Sequence, residues 1–106
     1  MKLGIVVYSN DSETVWNALR FANFALSMGD EVNVFLLSKG VECESIDTNK
    51  FRVSEELQKF VSGEGEVFAC STCLDIRQLE PSRMYTAAGL MKLYEIVNES
   101  DKTVTF

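Results

Sequence analysis

The sequence predicts a single three-layer α/β/α domain over residues 1–106, built around a five-stranded, mainly parallel sheet. Two observations carry this prediction. Short apolar runs rich in β-branched residues alternate with segments whose apolar residues recur at helical spacing, which is the pattern of strands joined by helices. The apolar runs also lack polar alternation, as expected of strands that are covered on both faces. No linker, repeat or low-complexity tract divides the chain, and the spacing leaves the strand order open.

The N-terminal part of the chain predicts two strands joined by one helix. Leu3–Tyr8 is a continuous apolar run and predicts the first strand. Asp11 or Ser12 can cap the helix that follows, and Gly29 lies just past its last turn, where a left-handed residue is favoured. The next apolar run, Glu31–Leu37, predicts the second strand. The inward stripe of the helix is formed by Val15, Leu19, Ala22 and Leu26.

The middle of the chain is less regular at first. The stretch Val41–Asn49 is polar and weakly patterned, which predicts a loop with at most one short turn. A helix is predicted over Ser54–Ser62, and Glu66–Cys70 predicts a short buried third strand. Ser71–Leu79 follows as a helix, which Pro81 prevents from continuing because proline lacks the backbone N–H that a helix needs.

The C-terminal part predicts one more strand and helix and a closing strand. Met84–Ala87 is a short apolar segment that predicts the fourth strand. Lys102–Phe106 alternates polar and apolar residues, which is typical of an edge strand. Between them a helical stripe is formed by Leu90, Leu93, Tyr94 and Val97.

Composition excludes several classes of function. The net charge is −6, so the field of the protein repels nucleic acid and anionic membranes. No histidine is present, which removes the usual general base and the commonest metal ligand and excludes serine–histidine and cysteine–histidine nucleophiles within one chain. No glycine-rich phosphate loop follows the first strand. We therefore expect no cofactor, no nucleic-acid partner and no membrane association. Three cysteines and no signal peptide predict a cytoplasmic protein.

Two cysteines stand at the predicted junction of the third strand and third helix. Cys70 is the last residue of the strand, and Cys73 follows one helical turn later. A helix N-terminus favours a thiolate over a thiol, so Cys70 is the best candidate for a reactive atom and is expected to face the water-accessible rim of the sheet. Both residues could instead be small buried apolar side chains. Cys43, in the polar stretch, is expected to serve loop packing.

Other polar residues should lie at the same rim. Ligands of parallel α/β sheets gather at the carboxyl ends of the strands. Ser9 and Asn10 follow the first strand and Ser71 follows the third, so these three are candidate substrate-binding residues. Ser9 and Asn10 also suit plain turn and capping roles.

Four motifs together resemble the DsrE/DsrF-like proteins of sulfur relay, in particular small single-chain archaeal and bacterial members. They are Gly4–Asn10, Ala18–Ala25 followed by Gly29–Leu36, Val67–Cys73 and the ending Ser100–Phe106. The resemblance runs in order over nearly the whole chain.

The resemblance implies an α/β/α fold that assembles as a homotrimer, a homohexamer or a mixed hexamer. It implies that Cys70 carries sulfane sulfur as a persulfide, received from a donor protein and passed to an acceptor protein. Relay subunits rely on one active cysteine, whereas Cys73 adds a second thiol here. That difference keeps a dithiol redox protein open as an alternative. A non-catalytic oligomeric binding protein and a metal site shared between subunits are further alternatives.

Overall fold

Five parallel strands form the central sheet of the computed structural model, which describes all residues from 1 to 106. The strands are β1 (Lys2–Val7), β2 (Glu31–Leu36), β3 (Glu66–Cys70), β4 (Thr86–Ala88) and β5 (Lys102–Thr105). Their spatial order is β4-β3-β2-β1-β5, with every neighbouring pair parallel. The predicted fold class is confirmed, and the sheet is parallel throughout.

Helices cover both faces of the sheet. The α-helices are α1 (Ser12–Ser27), α2 (Val53–Ser62), α3 (Ser71–Ile76) and α4 (Leu90–Glu99). Asp11 caps α1 by accepting a hydrogen bond from the backbone N–H of Thr14, and Gly29 adopts the expected left-handed conformation with φ of +88°. None of the helices is long and apolar enough to cross a membrane.

The core divides into two clusters on opposite faces of the sheet, because successive side chains of a strand point to opposite sides. The larger cluster joins the strands to α1 and α2 and contains side chains such as Ile5, Leu19 and Phe60. The smaller cluster lies under α4 and consists of Phe35, Cys70 and Ile96. One face therefore carries most of the buried residues, and α4 covers the other.

Three predicted elements differ from the structure. The stretch predicted as a loop contains a 3₁₀ helix, Ser38–Ser45, because Val41 and Cys43 are buried in the larger cluster and hold the segment against the sheet. Helix α3 ends at Ile76 rather than Leu79, and Ile76 is exposed. The fourth strand is Thr86–Ala88 rather than Met84–Ala87.

The apolar stripe predicted on the last helix points mostly outward. Ile96 is the buried residue of α4, and Leu93 packs against the smaller cluster. The exposed apolar side chains of α4 are Leu90, Met91, Tyr94 and Val97.

Candidate functional site

The candidate site lies where β3 passes into α3, at the carboxyl edge of the sheet. Cys70 ends β3 and pairs in register with Ala88 of β4, and Cys73 lies in the first turns of α3. Cys73 packs against the cluster that contains Cys70, so the fold brings the two predicted thiols together. All three cysteines of the chain are free.

Cys70 is buried, contrary to the expectation that it faces the rim. Only 4% of its surface is exposed, and its neighbours include Phe35 and Ile96. The physical reason is the pleat of β3, which directs Cys70 to the face that α4 covers. Its side chain makes no capping hydrogen bond to the short helix α3, so the expected stabilisation of a thiolate by those N–H groups is not formed.

Cys73 is partly exposed and has polar neighbours. Its Sγ atom accepts a hydrogen bond from the backbone N–H of Ser38 at 3.2 Å. Burial and then the neighbouring Cys70 thiol raise the pKa of Cys73, although the Ser38 N–H and the positive charge of Arg77 act in the opposite direction. Cys73 is therefore a protonated thiol at neutral pH with a donor and a cation already beside it.

An ion pair supports the backbone of Cys73. The Nη1 atom of Arg77 donates to the carbonyl oxygen of Cys73 at 3.1 Å, and its Nε atom lies 2.6 Å from Oε2 of Glu42. The other carboxylate oxygen of Glu42 accepts a hydrogen bond from the Asn10 side chain at 3.1 Å. The hydrogen bond from Arg77, followed by that from Asn10, lowers the pKa of Glu42. Three segments of the rim are thus tied together through Glu42.

The remaining candidate residues, Ser9, Asn10 and Ser71, lie outside the core. The hydroxyl oxygen of Ser9 accepts the backbone N–H of Asp11 at 3.0 Å, which is a turn contact, and Asn10 is engaged with Glu42. Ser71 lines an open cavity beside α3 together with Asp75 and Pro81. No group of three histidine, cysteine, aspartate or glutamate side chains is placed to hold a metal ion.

Cys43 lies apart from this site. It is fully buried in the larger cluster, on the face of the sheet opposite Cys70, which agrees with the expected packing role. Burial, followed by the negative charges of Glu44 and Asp47, raises its pKa to about 12.

Sequence reasoning missed two contributors to the site. Ser38 acts through its backbone N–H, which carries no residue-specific signal, and it adopts an uncommon left-handed conformation with φ of +54°. Glu42 lies in a polar stretch without a pattern, and its partner Arg77 is 35 residues away. A charged residue between the buried Val41 and Cys43 is the one local signal that could have singled out Glu42.

Solved structures of similar shape confirm the architecture. The protein YchN of Escherichia coli superposes with a TM-score of 0.85 over 100% of both chains at 21% identity. A conserved protein of unknown function from Bacteroides thetaiotaomicron, BT1422, superposes with a TM-score of 0.80 at 19% identity, covering 99% of this chain and 94% of that one. At these identities the likeness shows the fold alone.

Sequence comparison identifies more similar relatives and a family. The uncharacterized protein MJ0989 of Methanocaldococcus jannaschii is 35% identical over 100 residues, which covers 89% of this chain and 88% of that protein. The uncharacterized protein MK0008 of Methanopyrus kandleri is 33% identical over 100 residues, covering 89% and 83%. The model of the DsrE/DsrF-like family matches residues 1–106. The chain belongs to the DsrE/DsrF-like family.

Proposed function

We propose that the protein is a sulfur carrier or sulfurtransferase subunit of a sulfur relay and that it holds sulfur as a persulfide on Cys70. The observation that carries this proposal is the pair of free thiols, Cys70 and Cys73, packed together at the carboxyl edge of the sheet in a DsrE/DsrF-like chain. Ser9, Asn10 and Ser71 lie at or near this edge and are proposed to contact the sulfur donor.

The chemistry of sulfur transfer suits the groups at this site. A thiolate displaces the terminal sulfur of a donor persulfide by the same substitution that exchanges thiols and disulfides. The step needs a cysteine whose thiol proton can pass to solvent water, so it requires no histidine, and this chain has none. The burial of Cys70 supports a storage role, because few solvent thiols can reach a persulfide formed there.

Intact-mass analysis tests the proposal. The protein is incubated with a low-molecular-weight persulfide, and fragmentation then locates any added sulfur. We expect one added sulfur atom on Cys70 in the parent protein and in Cys43→Ala, and none in the Cys70→Ser/Cys73→Ser double variant. No uptake by the parent, or uptake that survives in the double variant, would refute the proposal.

The contact between the two thiols favours a second candidate, a dithiol redox protein. Cys70 and Cys73 pack together, and the Cys70 thiol lies close enough to raise the pKa of Cys73, so the two thiols are neighbours as a disulfide requires. Equilibration in thiol–disulfide buffers measures the reduction potential of the pair. A potential near the cytosolic poise would support redox exchange, and failure to form the disulfide would exclude it.

The proposed partners follow from the same role. A sulfur donor protein and a sulfur acceptor protein would meet the rim that carries Cys73, Asn10 and Glu42.

We further propose self-assembly into a homotrimer or homohexamer, supported by the four exposed apolar side chains of α4. The cytoplasm is the proposed location, because three free cysteines persist in a reducing compartment. A non-catalytic oligomer with inert thiols is the outcome if no cysteine accepts sulfur.

A further inference from the structure

The two thiols of the site differ in access to solvent. Cys70 is 4% exposed and lies in an apolar cluster with Phe35 and Ile96, whereas Cys73 is partly exposed and packs against both core clusters. A donor molecule that approaches the rim therefore meets the sulfur of Cys73 before that of Cys70.

The polar groups of the site also converge on Cys73. The N–H of Ser38 points at Sγ of Cys73, and the guanidinium of Arg77 is bound to the carbonyl oxygen of the same residue. An N–H donor and a nearby cation both stabilise a sulfur anion. The side chain of Cys70 makes no corresponding bond to α3, so these polar contacts are formed at Cys73 and not at Cys70.

We propose that sulfur enters the protein at Cys73 and then moves to Cys70, an order that rests on the proposed relay function. In the first step the Cys73 thiol gives its proton to water, and the resulting thiolate attacks the terminal sulfur of the donor persulfide. The new bond forms Cys73–S–SH, the sulfur–sulfur bond of the donor breaks, and the donor leaves as a thiolate. In the second step the Cys70 thiol gives its proton to water and attacks that terminal sulfur. Cys70–S–SH forms and Cys73 returns as a thiolate, with no net oxidation.

Attack by Cys70 on the inner sulfur would give a different product. The bond between the two cysteines would then be a disulfide, and the terminal sulfur would leave as hydrosulfide, so the pair would be oxidised while sulfane sulfur is reduced. Release of stoichiometric sulfide without an added reductant is the signature of that route, and it would overturn the transfer to Cys70 proposed here.

Variants in which one cysteine is replaced test the order in which sulfur reaches Cys73 and Cys70. With a low-molecular-weight persulfide as donor, we expect Cys73→Ser to accept sulfur at least about tenfold more slowly than the parent, because both remaining thiols, Cys43 and Cys70, are buried. We expect Cys70→Ala and Cys70→Ser to accept sulfur at the parental rate and to retain it on Cys73. Cys43→Ala serves as the matched control, and circular dichroism checks that each variant is folded.

The outcomes separate the order of entry from the function itself. Loss of uptake in both Cys70 variants, with parental uptake in Cys73→Ser, would overturn entry at Cys73 and leave the relay function standing. No uptake by the parent would overturn the function and the order together. Alkylation by iodoacetamide gives a readout that needs no sulfur donor. We expect Cys73 to react about tenfold or more faster than Cys70, and the reverse order would overturn the proposal.

Discussion

Arg77 and Glu42 form an ion pair in which Nε lies 2.6 Å from Oε2, although Arg77 directly follows α3 as its C-cap and Glu42 lies in the 3₁₀ helix. Both side chains are partly shielded from solvent, with 24% and 32% of their surfaces exposed. Because Arg77 also binds the carbonyl oxygen of Cys73, the pair sets both the position of Cys73 and the charge beside it.

The first prediction concerns the charge next to Cys73. Arg77→Gln removes a cation that lowers the pKa of Cys73, so we expect that pKa to rise and alkylation at neutral pH to slow about threefold. Glu42→Gln leaves the guanidinium unneutralised and should shift the pKa and the rate in the opposite direction. The pH profile of alkylation in a protein with Cys43 replaced by alanine measures both changes.

Lys102→Gln is the matched control for charge, since Lys102 lies on β5 at the far edge of the sheet from α3. If Arg77→Gln and Glu42→Gln shift the profile in the same direction, the pair acts by holding the two segments together and not by its charge.

The second prediction concerns the buried thiol of Cys43. Burial raises its pKa from an ordinary value of 9.0 to about 12. Between these two pH values the folded protein therefore keeps the thiol proton, whereas the unfolded chain loses it. The stability from this group is complete below pH 9 and falls as the pH rises from about 9 to about 12.

Urea unfolding of the parent and of Cys43→Ala checks this pH dependence. Near neutral pH the parent should be about 1 kcal/mol more stable, because alanine leaves a small cavity. That advantage should shrink as the pH rises above 9, since only the parent can lose this proton on unfolding. A difference that stays constant over the whole range would show that Cys43 does not titrate on unfolding.

The third prediction concerns Gly40, where two backbone segments meet closely. A Cβ atom at Gly40 would lie 2.0 Å from the carbonyl oxygen of Val7, which also accepts a hydrogen bond from the N–H of Leu37 at 2.9 Å. Gly40→Ala must therefore displace the 3₁₀ helix from the end of β1, at a cost of about 2 kcal/mol or more. Because Ser38 belongs to the same helix, the contact with Cys73 should weaken too.

Urea unfolding measures the loss, and Gly89→Ala provides the comparison. No atom lies within 4 Å of a Cβ built at Gly89, so we expect that variant to change stability by less than about 1 kcal/mol. Equal effects at both glycines would mean that the approach to Val7 does not restrict the side chain at residue 40.

The fourth prediction concerns the exposed face of α4. Met91 is 71% exposed and Tyr94 is 67% exposed, so neither side chain contributes much to the core of the single chain. If this face is buried between subunits, Met91→Glu with Tyr94→Glu should weaken assembly by about 3 kcal/mol or more, roughly a hundredfold in Kd. Sedimentation velocity should then show the mass of the single chain where the parent shows a trimer or hexamer.

Gln58→Glu, which adds a charge to an exposed site on α2, should leave the assembly intact. A parent protein that sediments as a single chain at every concentration would contradict self-assembly through α4.

Strand and helix positions were largely predictable, because the side chains that an element buries produce a regular spacing of apolar residues in its sequence. The strand Glu66–Cys70 is found at its predicted bounds, since a run of apolar residues between glycines and a helix start has few other conformations. The 3₁₀ helix was not predictable, because its buried residues, Gly40, Val41 and Cys43, are interrupted by the charged Glu42 and the segment is held by the sheet beneath it. Asp47 shows the same limit. It accepts the backbone N–H and hydroxyl of Ser54 at the start of α2, seven residues away.

The two cysteines of the site were predictable from the sequence, but the burial and the hydrogen-bond partners of each thiol were not. The spacing of Cys70 and Cys73 placed both thiols at the strand-to-helix junction, as found. Which thiol is buried depends on the pleat of β3 and on α4, a helix that begins about twenty residues later in the chain and reaches Cys70 only through the tertiary fold. Local sequence carries no information on that contact.

The short edges of the sheet bear on how the protein resists aggregation. The two edge strands are short, since β4 has three residues and β5 has four. The exposed Lys102 lies on β5. Edges of this length with an exposed lysine are poor templates for a strand from another molecule. Addition of strands from other molecules to the edges of the sheet is therefore disfavoured. Concentrated protein should not bind thioflavin, even if the exposed apolar face of α4 associates with other molecules.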